Sequence, residues 1–258
     1  MKFTKMEGLG NDFVVIDGPE QLTAGEIAAV CDRRRGVGAD GVLVVSPISA
    51  ERVRMEYFNA DGGAAEMCGN GLRCVAKRAV DTGLVTVLDF VVETQVGPRR
   101  VSVFDDDQVH VELGPIDASS SDVEVAGMTV RTVDVGNPHA VIFVEDPAEA
   151  DVAGVGAAIE TDPMFPAGTN VEFVRVADDQ QLDMRVWERG VGETLACGTG
   201  AAAVVAAAAA VNRSESVATV RLPGGSIEVE IDEGIAWLTG PARTVFVGRW
   251  NLPTGQTE

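Results

Sequence analysis

Lysine is nearly absent from this chain: Lys2, Lys5 and Lys77 are the only three in 258 residues. Two sit in the first five positions and Lys77 lies in a basic helical turn, so none is placed as the Schiff-base lysine that a pyridoxal site needs. Cations of every kind are short, with 20 basic against 40 acidic residues and a net charge of −20. A surface of that sign repels phosphate, which argues against nucleic acid and anionic membranes as partners. The excess acid is read as a solubilising surface or an adaptation to salt. There are only two histidines, His110 and His139, both far in sequence from Cys68-x5-Cys74, which lacks the C-x2-C spacing of a zinc site. No metal is expected. The four cysteines form no dense framework of the small secreted kind, and free thiols in a reducing cytoplasm are expected instead. The opening MKFTKMEGLGNDF lacks the apolar core of a secretory signal, so Met1 is expected to begin the mature protein.

Apolar residues make up 46% of the chain, enough for a full core in one large or two medium domains. The longest uncharged run, 194–212, approaches the length of a bilayer span, but it is mostly Ala and Gly and reads as a buried central helix. Alternating stretches at 52–58, 108–114, 181–187 and 226–232 read as strands.

The chain also repeats itself. Cys68 stands before Gly-Asn-Gly and Cys197 before Gly-Thr-Gly, 129 positions later, and a run of helix-forming residues follows each. Gly10–Ile16 resembles Gly136–Ile142 at an offset of 126, and Ala39–Val45 matches Gly168–Val174 at 129. Asn59 and Glu188 each stand nine residues ahead of a thiol. These matches predict an α+β fold of two pseudo-twofold-related halves, each a mostly antiparallel sheet wrapped around a central helix. The first half is expected over 1–114, completed by a strand at 244–250, and the second over 115–243. A polar, proline- and glycine-containing break at 113–124 is the expected linker, and a cleft between the halves the expected site.

If Gly69-Asn70-Gly71 and Gly198-Thr199-Gly200 open helices, unsatisfied N–H groups there attract an anion, and glycine lets a ligand approach the backbone. A thiol at such an end ionises more easily than a free one. Two such ends flanking a carboxylate suit removal of the hydrogen α to it. A base is needed on one face, an acid on the other, and stabilisation for the charge that builds on the carboxylate. A thiolate and a thiol supply the first two. Cys31 and Cys74 have no glycine beside them and read as core thiols. Residues 36–41, GVGADG, satisfy the dinucleotide-binding pattern formally, but a helix precedes them and a strand follows, the reverse of what that motif needs.

Four motifs in order, GLGNDFVVID (8–17), FNADGGAAEMCGNGLRC (58–74), GNPH (136–139) and ERGVGETLACGTGA (188–201), resemble the diaminopimelate epimerase family over nearly the whole chain. The resemblance implies a cofactor-independent epimerase that converts L,L-diaminopimelate to the meso form in lysine and peptidoglycan-precursor synthesis. It makes Cys68 and Cys197 the acid/base pair, with His139 and Glu188 as neighbours that tune or assist them. Gly69, Asn70, Gly198 and Thr199 would bind the α-carboxylate. Asn11, Asn59, Asn137, Asn170 and Arg189 would bind the amino and carboxylate groups of the substrate, and Glu188 would also lie against it. It implies a small-molecule substrate, a cytoplasmic location and no cofactor or metal, and leaves room for a homodimer. The chain departs from the family at Gly41, where some members place a glutamine on the substrate. Two other readings stand beside this one: another two-cysteine amino-acid racemase of the same fold, and a non-catalytic ligand-binding or thiol-redox protein. The asparagines, taken singly, are also ordinary turn formers.

Overall fold

The pattern of alternate burial along RVRMEYFN, where Val53 and Met55 point inward between exposed Arg52 and Arg54, recurs throughout the chain as strand. The structure, a computed structural model, describes residues 1–65, 67–104 and 106–251. Its elements begin with β1 (Lys2–Gly8), β2 (Asn11–Asp17), α1 (Ala24–Cys31), β3 (Gly41–Ser49), β4 (Arg52–Asn59), β5 (Ala64–Ala65), α2 (Gly69–Asp81), β6 (Asp89–Thr94), β7 (Gly97–Val103) and β8 (Gln108–Pro115). They continue with β9 (Val123–Val125), β10 (Met128–Asp134), β11 (Pro138–Phe143), α3 (Val152–Glu160), β12 (Asn170–Asp178), β13 (Gln181–Glu188) and β14 (Gly192–Thr194). The last are α4 (Gly198–Ala210), β15 (Val217–Leu222), β16 (Gly225–Asp232), β17 (Ile235–Pro241) and β18 (Arg243–Arg249).

The fold is α+β, and the chain divides into two compact units: Met1–Val111 with the segment from Pro241 onward, and Glu112–Gly240. The first boundary falls inside β8. The segment 113–124 is strand at both ends, and between them Asp117 bridges to Asp134.

Within the first unit the strands lie in the order β18, β1, β2, β3, β4, β6, β7, β8, with β5 beside β4. All neighbours are antiparallel except β2–β3 and β4–β6. Each of those parallel pairs is joined by a helical crossover, α1 and α2 respectively. The second unit repeats this order as β9, β10, β11, β12, β13, β15, β16, β17 with β14 beside β13, parallel only at β11–β12 and β13–β15. The register is repeated too: Phe13 faces Gly41 in the first parallel pair, and His139 faces Asn170 in the second.

Each sheet carries a helix on either face. The box formed by Thr23 and Glu26 starts α1, whose Ile27 and Val30 pack on Val14, Ile16, Val42 and Val44. In the second unit Val152 and Ile159 of α3 pack the same way on Ala140, Ile142, Val171 and Phe173. Residues of opposite parity, such as Leu43 and Glu172, face α2 and α4 instead. Both of these helices are wrapped by strands, which explains why α4 is alanine and valine almost all round: small residues let the sheet close tightly on it. Among the described residues no helix is long and apolar enough to cross a membrane. Gly36 of the GVGADG run packs onto the end of α1, where a Cβ would lie 2.1 Å from the Ala29 carbonyl oxygen, so close packing accounts for this glycine.

Candidate active site

In the first unit β1 turns into β2 through Leu9 and Gly10, both at positive φ (56° and 83°), a tight hairpin that presents Asn11 at the strand start. Cys68 is the N-cap of α2, in extended conformation (φ −140°, ψ 122°), and its side chain makes no capping hydrogen bond to the helix. The Cys68 Sγ donates to Asn11 Oδ1 at 3.5 Å, and Asn70 Nδ2 donates to the same oxygen at 3.4 Å. Asn11 is oriented from its other end, Nδ2 donating to Asp40 Oδ2 at 2.6 Å. Asp40 belongs to an ionic net in which Arg33 bridges Asp12 and Asp40 at 2.7 and 2.6 Å and Lys5 reaches Asp12 at 2.5 Å. Burial alone would raise the Asp12 carboxyl, but the hydrogen bonds and charges of Arg33 and Lys5 outweigh it and hold the group at about 2.

One turn into α2 lies a wholly buried cation. Arg73 donates from Nη2 to Asn70 Oδ1 at 2.8 Å, and its other nitrogens reach the carbonyl oxygens of Gly69 (3.4 Å) and Pro241 (3.3 Å). It therefore orders Asn70 and places a positive charge within electrostatic reach of Cys68.

In the second unit Cys197 is the N-cap of α4 in nearly the same conformation (φ −123°, ψ 115°). Its sulfur accepts from Gly200 N–H and lies beside Thr199 Oγ1, both at 3.4 Å. The charges here are negative. Glu188 ends β13, accepts from Thr194 Oγ1 at 2.5 Å, and is within hydrogen-bonding reach of the Cys197 thiol. Burial raises its carboxyl above the ordinary value, with the Glu172 charge adding to the effect. Burial, then Glu188, then Glu172 push the Cys197 thiol well above its usual range, against the pull of Thr199 and the Gly200 N–H. The surroundings of Cys197 therefore disfavour its thiolate.

Behind α4, His139 Nδ1 meets Glu172 Oε1 at 2.7 Å and His139 Nε2 meets Asn137 Oδ1 at 3.1 Å, with both His139 and Glu172 fully buried. Asn170 donates to the Pro138 carbonyl oxygen (3.1 Å) and accepts from the Arg189 N–H (3.0 Å). Arg189 is exposed, and its Nη1 donates to the Ala167 carbonyl oxygen.

The sequence-predicted residues therefore gather into two groups. Asn11, Gly69 and Asn70 surround Cys68 at the head of α2, whereas Asn137, His139, Asn170, Glu188, Arg189, Gly198 and Thr199 lie at or behind the head of α4. Asn59 ends β4 exposed, its backbone N–H bonded to the Gly63 carbonyl oxygen. At Gly41 a Cβ would stand 2.5 Å from the Phe58 carbonyl oxygen and 2.8 Å from the Tyr57 ring, so no glutamine-like contact fits on this backbone. Cys31 and Cys74 are buried, and desolvation raises their thiols to about 11 and about 12, which makes them inert. Arg73 and Glu172 were not foreseen. Their signal was present as a single charge inside an otherwise apolar stretch, LRCV and VEFV. Among the described residues no group of three or more His, Cys, Asp or Glu side chains is arranged to hold a metal.

A family model described as diaminopimelate epimerase matches residues 3–118 and 131–245. A diaminopimelate epimerase of Desulforapulum autotrophicum is 44% identical, covering 96% of this chain and 98% of its own length. One of Moorella thermoacetica is 43% identical, covering 98% and 100%. Among solved structures, a probable proline racemase from Agrobacterium radiobacter K84 superposes with a TM-score of 0.73 at 17% identity, covering 99% of this chain and 94% of that one. A hydroxyproline epimerase from Agrobacterium vitis gives 0.74 at 18%, covering 96% and 91%. At those identities the two structures speak for the fold alone.

Proposed function

Because the chain belongs to the diaminopimelate epimerase family, its activity is the epimerisation of diaminopimelate, and we propose that Cys68 and Cys197 perform it as a paired base and acid. The observation that carries the mechanism is the duplicated helix start, a cysteine N-cap followed by Gly-x-Gly in both units. One thiolate removes the α-hydrogen, the opposite thiol returns a proton to the other face of the same carbon, and L,L-diaminopimelate becomes the meso form. The first-turn N–H groups of Gly69 and Asn70, with Gly198 and Thr199, receive the α-carboxylate, whose oxygens take up charge in the transition state. Asn11 and the remaining asparagines hold polar groups of the substrate, and exposed Arg189 meets the carboxylate at the distal end.

The surroundings favour one resting assignment. A buried guanidinium stands within electrostatic reach of Cys68, while burial and then two carboxylates raise the Cys197 thiol. Cys68 is then the resting base and Cys197 the resting acid, with the roles exchanged in the reverse direction. Asn11 Oδ1, which accepts from the Cys68 thiol, is released to the substrate when the proton leaves. Catalysis by free thiols fits a reducing compartment, as lysine and peptidoglycan-precursor synthesis in the cytoplasm would supply.

Incubation with L,L-diaminopimelate in D2O, followed by chiral chromatography with mass detection, tests this. Meso product should carry deuterium at the inverted centre from the first turnover, while unreacted substrate stays largely protonated. Undeuterated early product would exclude the paired-thiol scheme, and absence of meso product would exclude the activity itself.

A further inference from the structure

The duplication makes one pair of residues conspicuous. His139 and Glu172 occupy β11 and β12 in the same register as Phe13 and Leu43 in β2 and β3, and all four side chains are fully buried. In each unit the second residue lies under the third residue of the helix that follows the cysteine. A Cβ at Gly71 would meet Leu43 Cδ2 at 3.2 Å, and one at Gly200 would meet Glu172 Oε1 at 2.8 Å. The first unit therefore builds this position with two apolar side chains and the second builds it with an ionisable pair. Replacing a buried ion pair by apolar residues is commonly neutral or stabilising, so the fold has no need of the polar version. One of its atoms is even left orphaned: Glu172 Oε2 is buried with no hydrogen-bond partner among the described residues. Such an atom costs stability.

We propose that Glu172 is a positioning residue of the epimerase, one that clamps the His139 imidazole and sets a buried negative charge under the first turn of α4. The proposal deepens the paired-thiol reading and rests on it for its catalytic consequence. Both ring nitrogens of His139 face oxygen atoms, Glu172 Oε1 at 2.7 Å and Asn137 Oδ1 at 3.1 Å, so the ring is held at both ends. The positive end of α4 faces Glu172, Oε1 standing 2.8 Å from where a Cβ on Gly200 would lie, with His139 on its other side. The groups that face it are His139 from β11, Glu188 from the end of β13 and Cys197 from the cap of α4; the charges acting on Cys197 are those of Glu188 and Glu172. Its task is to keep Cys197 charged with its proton until the substrate carbanion calls for it, and to fix the ring that orients Asn137.

Glu172→Gln keeps the shape and a hydrogen bond to the ring while removing the charge. In that variant the pH midpoint for alkylation of Cys197 by iodoacetamide, followed by peptide mass mapping, should fall by about one unit, the size of one nearby charge. Exchange of the substrate α-hydrogen with D2O should slow at least tenfold with KM little changed. An unchanged or higher midpoint, or exchange within twofold of the unmodified protein, would overturn the proposal. A second variant, His139→Phe with Glu172→Leu, copies the pair of the first unit. It should fold with an unaltered thermal midpoint and have lost exchange activity; a double variant that does not fold would mean the pair serves the fold, and would overturn the proposal as well. Failure of the unmodified protein to convert diaminopimelate would instead strike the underlying reading, and the alkylation midpoints would still report on Glu172 by themselves.

Discussion

Set side by side, the heads of α2 and α4 share a cysteine cap, a Gly-x-Gly and the same strands around them, yet the charge behind each thiol has opposite sign. Behind Cys68 stands Arg73, fully buried; at the equivalent position of α4 is Ala202. Behind Cys197 stand Glu172 and Glu188; their equivalents in the first unit are Leu43 and Asn59. Duplication supplied two equal helix starts, each attracting an anion. Two equal thiols would compete for the same proton state, whereas a base and an acid must differ at the same pH. A few substitutions behind two similar helix starts give the thiols different surroundings, and two of them, Arg73 and Glu172, are fully buried.

The sharpest way to break the comparison is to remove each thiol in turn. Cys68→Ala and Cys197→Ala should each lower epimerisation at least ~10³-fold, because either direction needs both groups, while substrate binding survives better than turnover. Chiral product analysis with an equilibrium binding measurement separates the two effects. If one alanine variant retained near-normal turnover, the heads would not be partners.

The units also differ in how their asparagines are anchored, and pH should expose this. Asn11 hangs on the Lys5–Asp12–Arg33–Asp40 net, whereas the side chain of Asn137 leans on the buried His139 ring. Asp12 is held at about 2, below its ordinary value of 3.8, so its contribution to stability is complete above about 4 and is lost as pH falls through 2. Asp12→Asn should cost about 1.5 kcal/mol at pH 7 once solvent screening is allowed for. Chemical denaturation of both proteins between pH 2 and 7 checks this: the gap should narrow toward pH 2, and a constant gap would contradict the linkage.

Arg73 offers a smaller test of the same contrast from the other side. Arg73→Met removes the cation behind Cys68 and leaves Glu172 and Glu188 in place. Alkylation of Cys68 should then require a pH about one unit higher, equivalent to ~1.4 kcal/mol, while Cys197 keeps its own midpoint. A shift at Cys197 instead would mean that the two heads are electrostatically coupled and not independently set.

How far the sequence discloses this depends on whether a feature is local. The cysteine caps, the Gly-x-Gly runs and the Gly-Asn turns are contiguous, and their repetition at offsets of 126 and 129 made both the α+β duplication and the two helix starts readable. The Glu172–His139 pair is not local. It requires the parallel register of β11 on β12, which the α3 crossover sets and no spacing rule reveals. Arg73 was hidden for another reason. A charge on a helix is ordinarily solvated, but α2 is buried on every side from Gly69 to Ala76, so Arg73 has no solvated face to occupy. Gly41 looked like a lost contact; the structure makes it a matter of space, filled by Tyr57 and the Phe58 carbonyl.

The finest test compares two glycines that occupy the same place in the repeat. Gly71 and Gly200 are both the third residue of their helix and both have buried backbones, so alanine would gain up to ~1 kcal/mol of helix propensity at either. What the new methyl meets differs. At Gly71 the nearest atom is a terminal methyl of Leu43 at 3.2 Å, which can rotate away by a few tenths of an ångström. At Gly200 it is the Glu172 carboxylate at 2.8 Å, held by His139, with the Cys197 Cβ a further 3.3 Å neighbour. Moving that oxygen lengthens a buried charge-assisted hydrogen bond, worth roughly 1.5–3 kcal/mol when intact. Gly71→Ala should therefore leave stability within about 0.5 kcal/mol of the parent, and Gly200→Ala should lose about 1 kcal/mol and slow α-hydrogen exchange several-fold. Thermal denaturation and deuterium uptake on the two variants measure the gap; equal costs would show that the charge under α4 is as free to move as the leucine under α2.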